Sequence, residues 1–344
     1  MIDINDQKSL YEYLYKRGLV LNKDNLICEV LSGGISCKVV KITTESTSFV
    51  IKQARSKLQV ENDWYSDIRR IYIERDCLNV FNEIIPEDAP KLLYHDDDNY
   101  LIVMEAAPAN ALSWKQQLMI GKLDFKVTEK IAVTLAIIHS KAAQDEQLKQ
   151  QFNNKEFFKE LRISPYLETI REKYKSLSND IDRIINMLLK DKTTLVHGDF
   201  SPKNILIVDQ KIFLLDHEVA HTGHPAFDLA FITNHFLLKS IKNKKWANGY
   251  MNLMLCFVEQ YLSSIDFMDR NQLERETIRV LALLLLARVD GKSPAEYITD
   301  EHDQDLIRSI SLQILELATS YIDVARIIVK NLTNKSFPVF YMNN

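Results

Sequence analysis

The sequence predicts an α+β fold in two lobes, a small antiparallel-sheet lobe over residues 1–105 and a mainly helical lobe over residues 106–344. Three observations predict it. Strand-like runs with period-two alternation dominate the first hundred residues, with one long helical stretch among them. Beyond Met104-Glu105-Ala106-Ala107-Pro108 the apolar residues switch to helical intervals. One hairpin interrupts that helical half, two β-branched and aromatic runs joined at Asp209-Gln210 with polar residues at both ends.

The bulk composition narrows the function classes. With 344 residues the chain is long enough for two cores, and 46% hydrophobic against 26% charged residues is an ordinary globular balance. A net charge of −4 excludes a typical nucleic-acid binder, because no basic excess exists to neutralise phosphates. It is compatible with a cationic small substrate. Cys28, Cys37, Cys77 and Cys256 form no CxxC pair and read as reduced core or strand residues of a cytosolic protein. The start Met1-Ile2-Asp3-Ile4-Asn5-Asp6 lacks the basic and apolar runs of a signal peptide. The longest apolar block, near Val280–Ala287, is far below the roughly 20 residues that span a bilayer. A cytoplasmic protein with no nucleic-acid or membrane partner is expected; oligomeric state leaves no mark on the sequence.

In order, Asp6 is placed to cap a helix over Gln7–Arg17, where Leu10 and Leu14 keep helical spacing and Gly18 ends the run. Leu26–Leu31, Cys37–Ile42 and Ser48–Lys52 follow as strands. Ser32-Gly33-Gly34-Ile35-Ser36 joins the first two. Backbone N–H groups approach phosphate oxygens only where side chains are absent, so Gly33, Gly34 and Ser36 are candidate nucleotide contacts. Two adjacent glycines also make an ordinary hairpin turn. A helix over about Asp67–Asn82 comes next, then strands Lys91–Tyr94 and Tyr100–Met104. Extended backbone at Met104-Glu105 is placed to pair with an adenine edge. In the second lobe, helices are expected at Val127–His139, Lys155–Leu161, Ile181–Leu189, Ala226–Lys239, Trp246–Leu262 and Arg275–Ala287. A polar connection with Pro165 is expected between the second and third of these, and a single last helix over Gln304–Lys330.

The chemistry lies around the hairpin. Asp199 precedes it, Asn204 follows five positions later, and Asp216 closes its second strand. Phosphoryl transfer needs that order: one carboxylate to accept a hydroxyl proton, an amide and a second carboxylate to hold Mg²⁺ against nucleotide phosphates. Lys52, ending a strand, can reach the α/β-phosphates of ATP if a helix carboxylate holds it, Glu74 or else Glu61. A competing pattern, His217-Glu218-Val219-Ala220-His221, spells H-E-x-x-H. Zinc chemistry would need both histidines on one helical face. A strand before the segment and Thr222-Gly223-His224-Pro225 after it leave no room for that helix.

With these residues in view, the chain resembles the aminoglycoside phosphotransferase and choline kinase family, which shares the protein-kinase-like fold. The likeness rests on His197-Gly198-Asp199 with Asn204, and on Gly223-His224-Pro225-Ala226-Phe227-Asp228-Leu229-Ala230. It implies transfer of the ATP γ-phosphoryl group to a hydroxyl of a small metabolite or aminoglycoside-like acceptor. By it Asp199 is the base, Asn204 and Asp216 hold Mg²⁺, Glu218 adds to the metal shell, and Asp228 braces the catalytic loop. His224 stands where the family usually has Asp. Val50-Ile51-Lys52-Gln53-Ala54, Trp64 and Arg70 to Glu74 look like methylthioribose kinases, so a sugar kinase of that type is one alternative and a catalytically silent nucleotide-binding module another. Arg288, Asp290 and Lys292, after a buried helix, are candidate acceptor contacts, or equally a helix end with a glycine turn. Glu296, Asp300, Glu301, Asp303 and Asp305 could attract an aminoglycoside or simply start a solvated helix.

Overall fold

Alternation in the first hundred residues builds one five-stranded antiparallel sheet. The computed structural model describes residues 2–21, 26–31, 36–45, 47–57, 65–333 and 337. Its elements begin with α1 (Gln7–Lys16), β1 (Ile27–Val30), β2 (Cys37–Thr43), β3 (Ser48–Ala54), α2 (Arg70–Ile84), β4 (Leu92–Asp96) and β5 (Leu101–Glu105). The strands lie in the order β1-β2-β3-β5-β4. Successive side chains of a strand point to opposite faces. Phe49 and Ile51 of β3 therefore join Leu10 and Leu14 of α1, while Val50 and Ala54 join Ile71 and Leu78 of α2. Lys52 shares the α2 side by the same parity. The stretches holding Gly33, Gly34, Glu61 and Trp64 lie outside the described residues.

The chain then forms β6 (Leu112–Ser113), α3 (Trp114–Met119), α4 (Phe125–Ala143), α5 (Glu146–Gln151), α6 (Glu156–Phe158), a π-helix (Lys159–Glu168), α7 (Thr169–Lys173) and α8 (Ser178–Lys190). Next come β7 (Thr194–Val196), β8 (Ile205–Val208), β9 (Lys211–Leu214) and β10 (His221–Gly223). The closing helices are α9 (Ala226–Lys242), α10 (Ala247–Ser263), α11 (Arg270–Asp290), α12 (Glu301–Leu317) and α13 (Tyr321–Thr333). α9 packs on α10 and α11, and α4 on α10. The apolar block Leu281–Ala287 is fully buried in α11, which explains why it reads as hydrophobic on every side.

Two compact units result: Met1–Ala111 with Phe213–Val219, and Leu112–Ile212 with Ala220–Asn344. The chain thus returns a short stretch after the hairpin to the sheet-bearing unit, where Leu214 N–H donates to the Asp88 carbonyl at 2.8 Å. The hairpin turns at Asp209 and Gln210, both with positive φ (46° and 68°), the geometry whose twist suits tightly paired strands.

Two expectations need correction. Pro165 does not sit in a connection but inside the ten-residue π-helix, whose wider winding accommodates a residue with no N–H to give. The last helix is two: α12 ends at Leu317 and α13 starts at Tyr321. Asp323 accepts from the N–H groups of Thr319 (3.2 Å) and Ser320 (3.1 Å), which fixes the break. Among the described residues, no helix is long and apolar enough to cross a membrane.

Candidate active site

In the first unit, α2 buries an unusual stripe. Arg70, Ile71, Glu74, Cys77, Leu78 and Phe81 recur at helical intervals, so Arg70 and Glu74 face inward one turn apart. Glu74 receives Lys52 Nζ at 2.6 and 2.8 Å, and the same ammonium meets Asp216 Oδ1 at 2.5 Å. Arg70 Nε meets Glu218 Oε2 at 3.0 Å and is itself fully buried. Its other nitrogens donate to the carbonyls of Ser36, Arg55 and Asp67, so the chain beside Ser36 is tied to α2. Cys37 donates its thiol proton to Glu218 at 3.5 Å; burial and that carboxylate push the thiol well above its usual range.

Three carboxylates against two cations leave this cluster with spare negative charge. Burial alone would strip the proton from Lys52, but Asp216 and Glu74 outweigh it and hold the ammonium well above a lysine's usual range. Burial pushes Glu74 up to about 7 against the pull of Lys52. Lys52, with Asp216 as a second carboxylate, keeps its charge. Asp216 adopts φ 70°, a left-handed conformation uncommon outside glycine though tolerated by Asp, and such conformations concentrate at functional sites. Ligand oxygens of Glu74, Asp216 and Glu218 lie within 4.8 Å of one another, an oxygen-only set that suits a hard divalent cation. Met104 is buried at the end of β5, and Glu105 N–H already donates to the Lys91 carbonyl at 2.9 Å.

The second unit carries the loop between β7 and β8. Gly198 takes φ 77°, and Asp228 of α9 accepts from the N–H groups of His197 (2.7 Å) and Gly198 (2.9 Å). His139 Nε2 lies 3.3 Å from the same carboxylate, with Tyr261 Oη 2.7 Å from the other ring nitrogen. Burial opposes ionisation of Asp228, yet these partners hold it below the usual carboxylate range. Asp199 emerges from the braced loop. Asn204 Nδ2 donates to its carboxylate at 2.8 Å and to its carbonyl at 3.0 Å, which leaves the amide oxygen as an acceptor. Arg162 reaches Asp199 Oδ1 at 3.1 Å, and Lys203 reaches Oδ2 at 3.1 Å. Arg162 comes from the π-helix and also donates to the Gly198 carbonyl at 2.8 Å.

The remaining expected contacts separate. Arg288 donates to the Ser293 carbonyl at 2.6 Å and stacks over the Tyr166 ring. Asp290 is engaged elsewhere, by two bonds from Arg308 at 3.0 Å and one from Tyr174 at 2.6 Å. Lys292 is exposed. Asp300 caps α12, Asp303 pairs with Lys244 and Asp305 with Arg308, so these carboxylates serve the helix start. His224, standing where the family usually has Asp, places Nε2 3.0 Å from the Glu276 carboxylate. The segment His217–His221 is a turn entering β10 and no helix, which removes the zinc alternative's geometry. Sequence reasoning missed Arg70 and Arg162. Arg70's place on the apolar stripe of α2, four residues before Glu74, was the available signal; Arg162 had none.

Residues 27–250 match the model of the phosphotransferase enzyme family. A methylthioribose kinase of Bacillus cereus (strain AH820) is 23% identical over 266 residues, 70% of this chain and 67% of that protein. One of Geobacillus sp. (strain WCH70) is 23% identical over 252 residues, 65% and 63%. The chain thus spans about two thirds of the length of these curated relatives. Among solved structures, an amicoumacin kinase in complex with AMP-PNP, Ca2+ and Ami superposes with TM-score 0.59 at 13% identity, covering 92% of this chain and 95% of that one. A Plasmodium vivax ethanolamine kinase gives 0.53 at 17%, covering 96% and 90%. These likenesses show the fold.

Proposed function

The chain belongs to the phosphotransferase enzyme family, and from that premise we propose that it is an ATP-dependent kinase acting on a hydroxyl of a small acceptor. The observation that carries this reading is the buried Lys52 ammonium clasped by Glu74 and Asp216, an arrangement with a direct use in gripping nucleotide phosphates. Asp216 and Glu218 would supply oxygen ligands to a divalent cation, Mg²⁺ in the simplest case. Bound there, the cation would neutralise charge on the phosphates. Backbone at the end of β5, from Met104 and Glu105 onward, would face the adenine.

Asp199 would accept the acceptor's hydroxyl proton as the O–P bond forms and the bond from the γ-phosphorus to the ADP oxygen breaks. Arg162, Lys203 and Asn204 fix the carboxylate's orientation, and Asp228 fixes the loop that presents it. Most of the acceleration would come from positioning and charge, since phosphoryl transfer leaves little covalent work to the protein. Methylthioribose is the first acceptor to try, because the curated relatives named above act on it. The test is acceptor-dependent ADP release from Mg·ATP across methylthioribose, aminoglycosides, choline, homoserine and simple sugars. Turnover in wild type that vanishes in Asp199→Asn is expected. Equal turnover in the variant would remove Asp199 as the base, and no release with any acceptor would count against the kinase reading itself.

A further inference from the structure

One group in the second unit has no role so far. Lys239 lies inside α9 with 0% exposure, and its Nζ is buried without a hydrogen-bond partner. It sits 5.5 Å from the centre of the Tyr297 ring. An ammonium buried without a hydrogen-bonded counter-charge is strongly unfavourable, so such a group sheds its proton or takes an anion as partner. Three nearby polar atoms are also buried and unbonded: Arg288 Nε, His235 Nδ1 and Tyr297 Oη.

Charge is out of balance here. Arg162 and Lys203 bracket Asp199, and Lys115 holds Glu296. Lys239 and Arg288 have no carboxylate within ion-pair distance among the described residues. The neighbours register the resulting positive field. Burial, with Lys115 and Arg288 adding and Glu296 opposing, pushes Lys239 down to about 7, and burial with Lys239 and Arg288 drives His235 well below its usual range. Tyr166, which burial alone would push up, is drawn below 10 by Arg288 and Arg162. This region is continuous with the Asp199 loop. Arg162 stacks over Phe231 (5.8 Å), Phe231 packs on Tyr166 (6.2 Å) and His235 (5.7 Å), and Arg288 lies over Tyr166 (5.9 Å).

We propose that the acceptor alcohol carries an anionic group, a carboxylate or a phosphate, and that Lys239 and Arg288 receive it. The proposal rests on the kinase reading and narrows it. A cationic acceptor such as choline or an aminoglycoside would meet like charge, and a neutral sugar would leave Lys239 Nζ and Arg288 Nε without an anionic partner. A bound anion would restore the Lys239 charge, so binding near neutral pH takes up a proton.

The test uses the full chain and matched probes: D-glycerate against glycerol, D-ribose 5-phosphate against D-ribose, and ethanolamine as the cation. Inorganic phosphate binding is read by calorimetry in buffers of differing ionisation enthalpy. The expected result is that anionic alcohols are used at least about tenfold better by kcat/KM than their neutral counterparts, that phosphate binds with proton uptake, and that Lys239→Met and Arg288→Met each weaken both by about tenfold or more. Lys239→Arg should retain much of the anion preference, and it stands in should Lys239→Met fail to fold. Turnover that favours neutral or cationic acceptors, or phosphate binding absent or indifferent to both variants, overturns the proposal while leaving the kinase intact. Absence of ADP release with every acceptor would instead sink the kinase reading, and phosphate calorimetry would still decide the anion site.

Discussion

Asp228 is one carboxylate with several tasks: it takes two loop N–H groups and faces a buried histidine. Asp228→Asn should cost about 3 kcal/mol in urea unfolding, because charge-assisted bonds weaken and His139 loses its partner. Its native pKa is depressed, so its stabilisation is present above the unfolded value near 3.9 and lost as pH falls through the lower native one. Lys239 has the opposite linkage. Its native pKa of about 7 lies below the unfolded value of about 10.4, so the native state binds fewer protons between them and stability rises with pH across that window. In Lys239→Met that slope should disappear, with a gain of about 1–3 kcal/mol at pH 7, checked by denaturant titration from pH 6 to 10. Residues whose type and spacing match a chemistry, such as Lys52, Glu74, Asp199 and Asp216, were legible in the sequence. Arg162 and Lys239 were not, because a long cationic side chain on a helix ordinarily reads as solvated. Arg70 left a trace in its place on the apolar stripe of α2, whereas only tertiary placement shows where Arg162 and Lys239 turn.

The π-helix and the hairpin turn carry local rules the sequence expresses unevenly. Pro165 signals a boundary in any sequence reading, yet the chain passes through it by winding wider and places Arg162 beside Gly198 and Asp199. Pro165→Ala removes the reason for that winding. The expected outcome is a several-fold loss of kcat with little loss of stability, since the rewound helix would carry the guanidinium away from Asp199; steady-state kinetics beside a thermal melt checks it. Asp209-Gln210 holds two positive φ angles without the Asn-Gly that such turns prefer. Replacing the pair by Asn-Gly should stabilise by about 0.5–1 kcal/mol, read as a shift in the urea midpoint. The end of α12 illustrates the converse. Apolar periodicity continues through Ala318-Thr319-Ser320 with no Gly or Pro, so the break is announced only by the helix-start pattern Ser320-x-x-Asp323, which the periodicity masks.

At the scale of the molecule, the order of sheet, hairpin and helices was readable from the switch in periodicity, and the structure shows the α+β architecture it implied. The family match ends at residue 250, whereas Arg288 and Tyr297 lie beyond it. The shared stretch thus holds the groups proposed for nucleotide and proton, while part of the anion site comes from the stretch outside, which is one reason the acceptor was the least legible feature. Mg·ATP at a hundredfold over its dissociation constant should stabilise the native state by about 2.7 kcal/mol, and Lys52→Met should abolish most of that shift in a thermal melt. The return of Phe213–Val219 to the sheet-bearing unit has a further consequence for anyone recombining such proteins. Cutting at Ala111 yields a fragment in which Lys52 and Arg70 have lost Asp216 and Glu218. An exchange of this portion between homologues succeeds only if the crossover also carries that distant heptapeptide, so the gene's natural seams do not follow the architecture.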